Sequence, residues 1–438
     1  MREIYNYRGH PLLDEIKDAL SHIVRTLDRY DYSDQALYVA QEYLLDELLA
    51  VEDTARSFKA ETRRLRMQAA QIAIRAKDNQ GQIPEAVKQT TASLYRDAND
   101  YEEARRVLQY GRWLLRYVGD GIAWHAYSHN RHIIRALASK ESVPAVADSE
   151  GIISVRRIFR AIRRLGRDWL PILHDLTNCL RTADISIFQA SRLVRIVELK
   201  IRKGRPPTES LEPGYKRKDD RSLRQEERMA RILQFMQTLE LGDLDPQLAG
   251  GKAIDKDVGE SHNFESVSNA IAQARERGYG FHSPGSGVLY IAWTILENGV
   301  EGAISEAQKI HPEIFASTIT FRSISARYEE QHQSLPITAM ALSADDILDI
   351  LFGRIGVVTI VNFAILEEYC SQQGIPLMVV KREDGGFSVK VDVGEFKGEV
   401  LDGLWDRLML EGLSFESFAD LIRSIIATYS DDAINASA

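Results

Sequence analysis

In 438 residues the chain has only two cysteines, Cys179 and Cys370. That excludes a disulfide framework and a four-thiolate zinc site, and with the latter the zinc-ribbon nucleases and zinc-finger regulators; it predicts a reducing, cytoplasmic setting. Long apolar runs are also missing. The longest, near Ile355 to Leu366, is interrupted by Asn362, and the first residues contain no apolar signal core, so neither membrane spanning nor secretion is expected. There is no G-x-x-x-x-G-K-[ST] loop and no G-x-S-x-G elbow, which argues against ATP hydrolysis and a serine hydrolase. Zinc-finger spacing, an RRM signature and a clear helix-turn-helix are absent too, so base-specific reading of a nucleic acid is not expected. What is present is the composition of a folded protein: 44% hydrophobic, 27% charged, 28 Gly and 12 Pro. The length exceeds one ordinary core and predicts two or three packed units.

The net charge of -9 disfavours a polyanionic partner, but the charge is unevenly spread. From Ile152 to Arg231 there are 20 basic and 10 acidic residues, which leaves 35 basic and 54 acidic elsewhere. A segment of +10 inside a remainder of -19 points to a local anionic partner. Arg156, Arg157, Arg160, Arg163, Arg164 and Arg167 recur at spacings that give more than one helical face, so some face solvent or phosphate and others pair with acidic flanks.

From Ser33 to about Lys77 apolar residues recur at helical spacing with almost no Gly or Pro. Asn79, Gly81 and Pro84 stop this helix, and Pro84 opens a second that continues through Tyr101 to Ala136. The first hundred residues therefore read as a helical arm, which either packs on the next domain or forms a dimer surface. An Arg-rich helix from Ser154 to about Arg167 follows. The period then changes to alternation: Asp184 to Phe188 and Arg192 to Ile201 read as a hairpin turning at Gln189, Ala190 and Ser191. After a polar loop comes a charged helix from about Ser222 to Leu239. Beyond Gly242 the chain mixes helices with short strands at Gly287 to Trp293, Leu377 to Lys381 and Phe387 to Val391, the last two joined by Asp384-Gly385.

Asp184 opens one strand of the hairpin, while Glu198 and Lys200 project from one face of the next because strand side chains repeat every two positions. Two carboxylates converge beside a cation. Oxygen ligands of this kind suit Mg²⁺ or Mn²⁺ and suit zinc poorly. The expected chemistry is metal-assisted attack of water on a phosphodiester, with Lys200 orienting the water or neutralising developing charge. The alternative is an exposed strand face with an ordinary cross-strand ion pair.

Asp184 followed by Glu198-Leu199-Lys200 resembles the PD-(D/E)XK, or restriction-endonuclease-like, nucleases. The likeness covers roughly Gly119 to Arg231, and its sharp part is four positions. It implies that Asp184, Glu198 and the Leu199 backbone carbonyl bind the metal and that Lys200 is catalytic. The string from His174 to Asp184 resembles a segment of nuclease-like proteins, some associated with bacterial defence against phage. Ala183 stands where the family often has Pro, a departure that leaves the chemistry untouched. The helix after the Lys strand is similar to the RecB-like branch in Gln225, though Met229 replaces the expected aromatic. The helix before the sheet can supply another acidic ligand in this superfamily, for which Asp120 is the candidate; its other reading is a capping or surface carboxylate. Asp175 reads as a carboxylate near the site. His125, His129 and His132 share one helical face, either as a transition-metal clamp or as a polar surface.

These readings give an α+β or α/β protein: a helical arm over residues 1–100, a restriction-endonuclease-like core over 101–245 with a mixed sheet flanked by helices, and an α+β C-terminal domain over 246–438. The expected activity is Mg²⁺-dependent cleavage of DNA, RNA not being excluded, with Arg202, Lys203, Arg224, Gln225 and Arg228 contacting the nucleic acid. A homodimer or a protein partner is expected through the arm or the C-terminal domain. The alternative function is a catalytically silent nucleic-acid-binding or scaffolding component.

Overall fold

A computed structural model describes residues 7, 9–77, 82–138, 149–180, 182–197, 199–200, 208–209, 227, 230–236, 238, 240, 260–285, 287–295, 299–324, 334–381, 387–393, 396–400 and 403–436. It shows a mixed α+β protein with a long helical N-terminal region. The chain divides into two compact units: residues 1–119, 141–178 and 184–209 form the first, and 120–140, 179–183 and 210–438 the second.

The first unit begins with α1 (Asp14–Arg29), which buries Ile16, Leu20, Ile23, Val24 and Leu27 at helical spacing. Ser33 then caps α2 (Asp34–Arg75), its hydroxyl accepting the Ala36 N–H. α2 and α3 (Glu85–Ala126) are 42 residues each, about 63 Å long at the α-helical rise. Their burial is uneven. Between Ala36 and Glu52, α2 buries ten residues, whereas beyond Glu52 it buries only Thr62, Leu65 and Ala69. α3 matches this pattern, with Ala98 alone buried before Val107 and a dense series from Val107 to Val118. The far halves of the two helices thus share one narrow seam, while the near halves sit in the core.

α3 ends at Ala126, ten residues before the expected stop at Ala136. Ser128 and His129 adopt positive φ, and Asn130 caps a new short helix, α4 (Arg131–Leu137). His125, His129 and His132 therefore do not share one helical face. The rings of His125 and His129 instead meet edge to face at 4.8 Å, and burial pushes the His125 imidazole down to about 3.

The Arg-rich helix α5 (Ser149–Arg164) leads to a three-stranded sheet of β1 (Trp169–Leu173), β2 (Ile185–Gln189) and β3 (Arg192–Val197), in the order β1-β2-β3. Every pair in it is antiparallel. A mixed sheet was expected; among the described residues this region holds an antiparallel meander and, as a separate sheet, the short antiparallel pair β4 (Leu199–Lys200) and β5 (Thr208–Glu209). β1 was not foreseen. Its Pro171 hides a strand that is buried on both faces. The β2-β3 hairpin turns as expected, with Ala190 and Ser191 both at positive φ.

In the second unit, residues 230–236 are helical and α6 (Phe264–Arg277) and α7 (Gly299–Ile310) pack on an antiparallel sheet. Its order is β6 (Tyr279–Gly285), β7 (Val288–Thr294), β9 (Ile355–Asn362), β8 (Ile319–Ile324). Leu289, Ile291, Val358 and Ile360 line the core with Ala303 and Ala307 of α7. The apolar run interrupted by Asn362 is explained here: β9 ends at Asn362, whose side chain accepts the Ile365 N–H and caps α9 (Phe363–Gln372), which follows α8 (Ala344–Leu351). A second meander, β10 (Leu377–Lys381), β11 (Phe387–Val393) and β12 (Phe396–Val400), is followed by α10 (Gly403–Leu410) and α11 (Phe415–Ala436).

Candidate functional site

The site is built on the edges of β1, β2 and β3. β1 pairs with β2 on one side and would leave its other edge open inside the protein. Gln41 of α2 closes it. Its buried amide donates to the Pro171 carbonyl at 3.0 Å and accepts the Leu173 N–H at 2.9 Å, so one side chain replaces a neighbouring strand. This polar residue inside an apolar helix face was the signal that sequence reasoning passed over.

After Leu173 the chain makes a tight turn at His174–Leu176, closed by the Thr177 hydroxyl donating to the His174 carbonyl at 2.9 Å. It returns through Ala183, which stands at φ 67, into Asp184. Asp184 is held by its backbone on both sides. The His174 N–H donates to its carbonyl at 3.0 Å, and its own N–H donates to the Val197 carbonyl at 3.0 Å. Two residues on, the Ser186 hydroxyl lies 2.7 Å from His174 Nε2, both groups being buried. This buried polar pair sits beside the anchor of Asp184, and no local sequence pattern announces it. The Asp184 side chain is half-buried.

Asp175, on the same turn, is a costly carboxylate. Burial pushes its pKa above the usual value, and the nearby Arg116 guanidinium offsets part of that rise. Asp120 of α3 is buried and its Oδ1 accepts the Cys179 N–H at 2.8 Å, so it is neither a helix-surface nor a helix-capping carboxylate but a tie between α3 and a remote stretch of backbone. Gly119 beside it is required by space, since a Cβ there would lie 1.9 Å from the Leu176 carbonyl oxygen. The Leu199 and Lys200 backbones pair with Glu209 and Thr208. Glu198, Arg202, Lys203, Arg224, Gln225 and Arg228 lie outside the described residues. Among the described residues no three His, Cys, Asp or Glu side chains gather as a metal site, and Glu198 is not one of those residues.

The arginines of α5 separate into two sets. Arg156 pairs with Asp46, Arg160 with Glu42 at 2.8 Å, and Arg163 donates to Gln35 at 2.5 Å and to the Trp169 carbonyl at 3.0 Å while lying over the Tyr38 ring. These fasten α5 to the near half of α2. Arg157, Arg164 and Arg167 face solvent.

No family model matches the chain, and no curated protein or solved structure is found similar to it. Among the described residues no helix is long and apolar enough to cross a membrane.

Proposed function

We propose that the protein is a metal-dependent nuclease that hydrolyses DNA phosphodiester bonds at Asp184, Glu198 and Lys200. The observation that carries this reading is the bond from the Asp184 N–H to the Val197 carbonyl. In the ladder Ile185 pairs with Val197, so Asp184 and Ile185 both lie against Val197, as at a β-bulge, and Val197 is the residue that precedes Glu198 in the sequence. Asp184 at the entry to β2, with Glu198 and Lys200 following Val197 in the sequence, gives the constellation that the sequence likeness implies. Solvent-facing Arg157, Arg164 and Arg167 just before β1 supply positive charge for a phosphate backbone.

Asp184, Glu198 and the Leu199 carbonyl offer only oxygen donors, which fit Mg²⁺ or Mn²⁺. Such an ion, when bound, polarises the phosphoryl group and lowers the pKa of its water. Asp184 and Glu198 would hold it, and Lys200 would orient the attacking water and offset negative charge as it develops. The second reading, a nucleic-acid-binding component without turnover, is favoured by the bond that engages Asp120 with Cys179. In that reading a bacterial defence role would rest on capture alone.

Incubation of the purified protein with plasmid, linear and single-stranded DNA plus Mg²⁺ or Mn²⁺ tests the proposal. Asp184→Ala and Lys200→Ala are expected to lower cleavage by about 10³-fold, on the scale of removing a group that stabilises transition-state charge. Variants that cut as fast as the parent end the nuclease reading.

A further inference from the structure

The far half of α2 presents a positive face that nothing else in the described chain covers. Between Asp53 and Arg75 the helix has six basic and two acidic residues. Its seam toward α3 uses Phe58, Thr62, Leu65, Ala69, Ile72 and Ala76, spaced four and three apart, and the Thr62 hydroxyl lies 3.5 Å from the Ala98 carbonyl across it. At about 3.6 residues per turn, Arg56, Lys59, Arg63 and Met67 fall on the side away from that seam. All four are exposed. Together with Arg64 and Gln71 they line an open groove of about 600 Å³ along the helix.

The ion pairs of Arg56 and Arg64 are to carboxylates one turn back on the same helix, Asp53 at 2.8 Å and Glu61 at 2.5 Å, and such pairs near water hold them weakly. Lys59 and Arg63 have no carboxylate within ion-pair distance among the described residues. α5 shows the contrast, since three of its arginines are bonded to α2.

We infer that this outer face of α2 is a docking surface for the phosphate backbone of a nucleic acid. Its cations follow one another at about one helical turn, near 5.4 Å, so an extended polyanion can meet them in succession. A second copy docked through the same face would set cation against cation. A lipid surface needs a broad apolar face, and the large exposed apolar side chains on this side are only Met67 and Ile74. From Gln41, beside the candidate site, to Arg56 the helix advances about 22 Å, and to Arg64 about 35 Å, so the arm would hold the nucleic acid well away from the point of chemistry. The inference rests on the nucleic-acid partner proposed above and not on turnover.

The test uses the full-length protein, a short fluorescein-labelled duplex and chelator to prevent cleavage, with anisotropy read across a salt series. Lys59→Ala/Arg63→Ala is expected to weaken binding on the order of tenfold near 0.1 M salt and to flatten the slope of log K against log salt by about 2. Lys309→Ala/Arg423→Ala removes equal charge from exposed sites elsewhere and should change neither. An unchanged slope in the α2 variant overturns the inference. So does a variant that alters sedimentation mass, or capture by phosphatidylserine vesicles, while DNA binding stays the same. All four positions are exposed on helices, and circular dichroism confirms that each variant keeps its fold. Lys200→Ala separates the two proposals: it should lose cleavage yet keep the parent's salt slope. Cleavage by Lys200→Ala removes the nuclease while leaving the docking surface, and a flat result for the α2 variant does the reverse.

Discussion

From Asp34 to Glu52, α2 carries five acidic residues and no basic one; from Asp53 to Arg75 it carries six basic and two acidic. The first half lies against β1 and α5, where Glu42 and Asp46 receive arginines, Gln41 closes the sheet edge and Glu52 takes Arg112 at 2.8 Å. The second half touches α3 along one thin seam. A continuous helix therefore joins a region whose charges are spent on architecture to one whose charges remain available. Backbone regularity is the same throughout; what differs is how many neighbours share each turn, and that is where stability and binding part company.

The comparison is sharpest with one substitution made on each side. Leu44 is fully buried in the near half and Leu65 is 5% exposed in the seam. Leu44→Ala is expected to cost about 3–5 kcal/mol in denaturant unfolding, since the surrounding core cannot collapse into the void. Leu65→Ala should cost about 2 kcal/mol or less, because a two-helix seam can relax and water reaches it. Amide exchange would rise only in the arm for Leu65→Ala and throughout the first unit for Leu44→Ala. Equal costs, or a global effect from Leu65, would mean that the arm is not an energetically separate region.

The long helices were legible because Ser33 to Lys77 offers no breaker and a clear apolar period, and the hairpin because Arg192 to Val197 alternates before a short turn. The break after Ala126 was not. Tyr127, Ser128 and His129 carry no Gly or Pro, and only Asn130, a good helix cap, marked the restart. β1 was hidden by Pro171, whose missing N–H argues against a strand. Gln41 was hidden for a different reason: its partners, the backbone at 171 and 173, are remote in sequence, and no local pattern announces a side chain that completes a sheet. The entry into β2 after Asp184 was legible because the alternation begins there, whereas the His174 and Ser186 pair depends on register alone.

Acid should affect the two regions in opposite directions. Asp175, near β1, has its pKa raised by burial, so the folded state holds its proton to a higher pH than the unfolded chain does. Stability from this group rises as pH falls through the raised value and levels off below the unfolded one. In the arm the hydrogen bond from Arg105 lowers the Glu102 pKa, so its contribution is present above the unfolded value and lost as pH falls through the lowered one. Asp175→Asn is expected to raise stability at pH 7 by about 1 kcal/mol, the order of the penalty for burying an incompletely compensated charge, with the gain shrinking in acid. A loss at pH 7 would show instead that the attraction of Arg116 outweighs burial.

The smallest effect concerns the residue that aims Asp184. Ala183 stands at φ 67, in the left-handed region where a Cβ crowds the following carbonyl. Proline, the residue common at this place in the nucleases the motif resembles, has φ fixed near -65° and could not take up this conformation. Alanine is therefore no neutral departure here; the entry into β2 has a backbone path that proline forbids. Ala183→Gly should relieve the strain and leave the fold unchanged or stabilise it by less than about 1 kcal/mol, the added freedom of the unfolded chain cancelling part of the relief. Thermal unfolding of the two proteins measures it. A clear destabilisation by glycine would indicate that the Ala183 methyl group packs usefully, and that the position of Asp184 depends on side-chain contact as well as on its two backbone bonds.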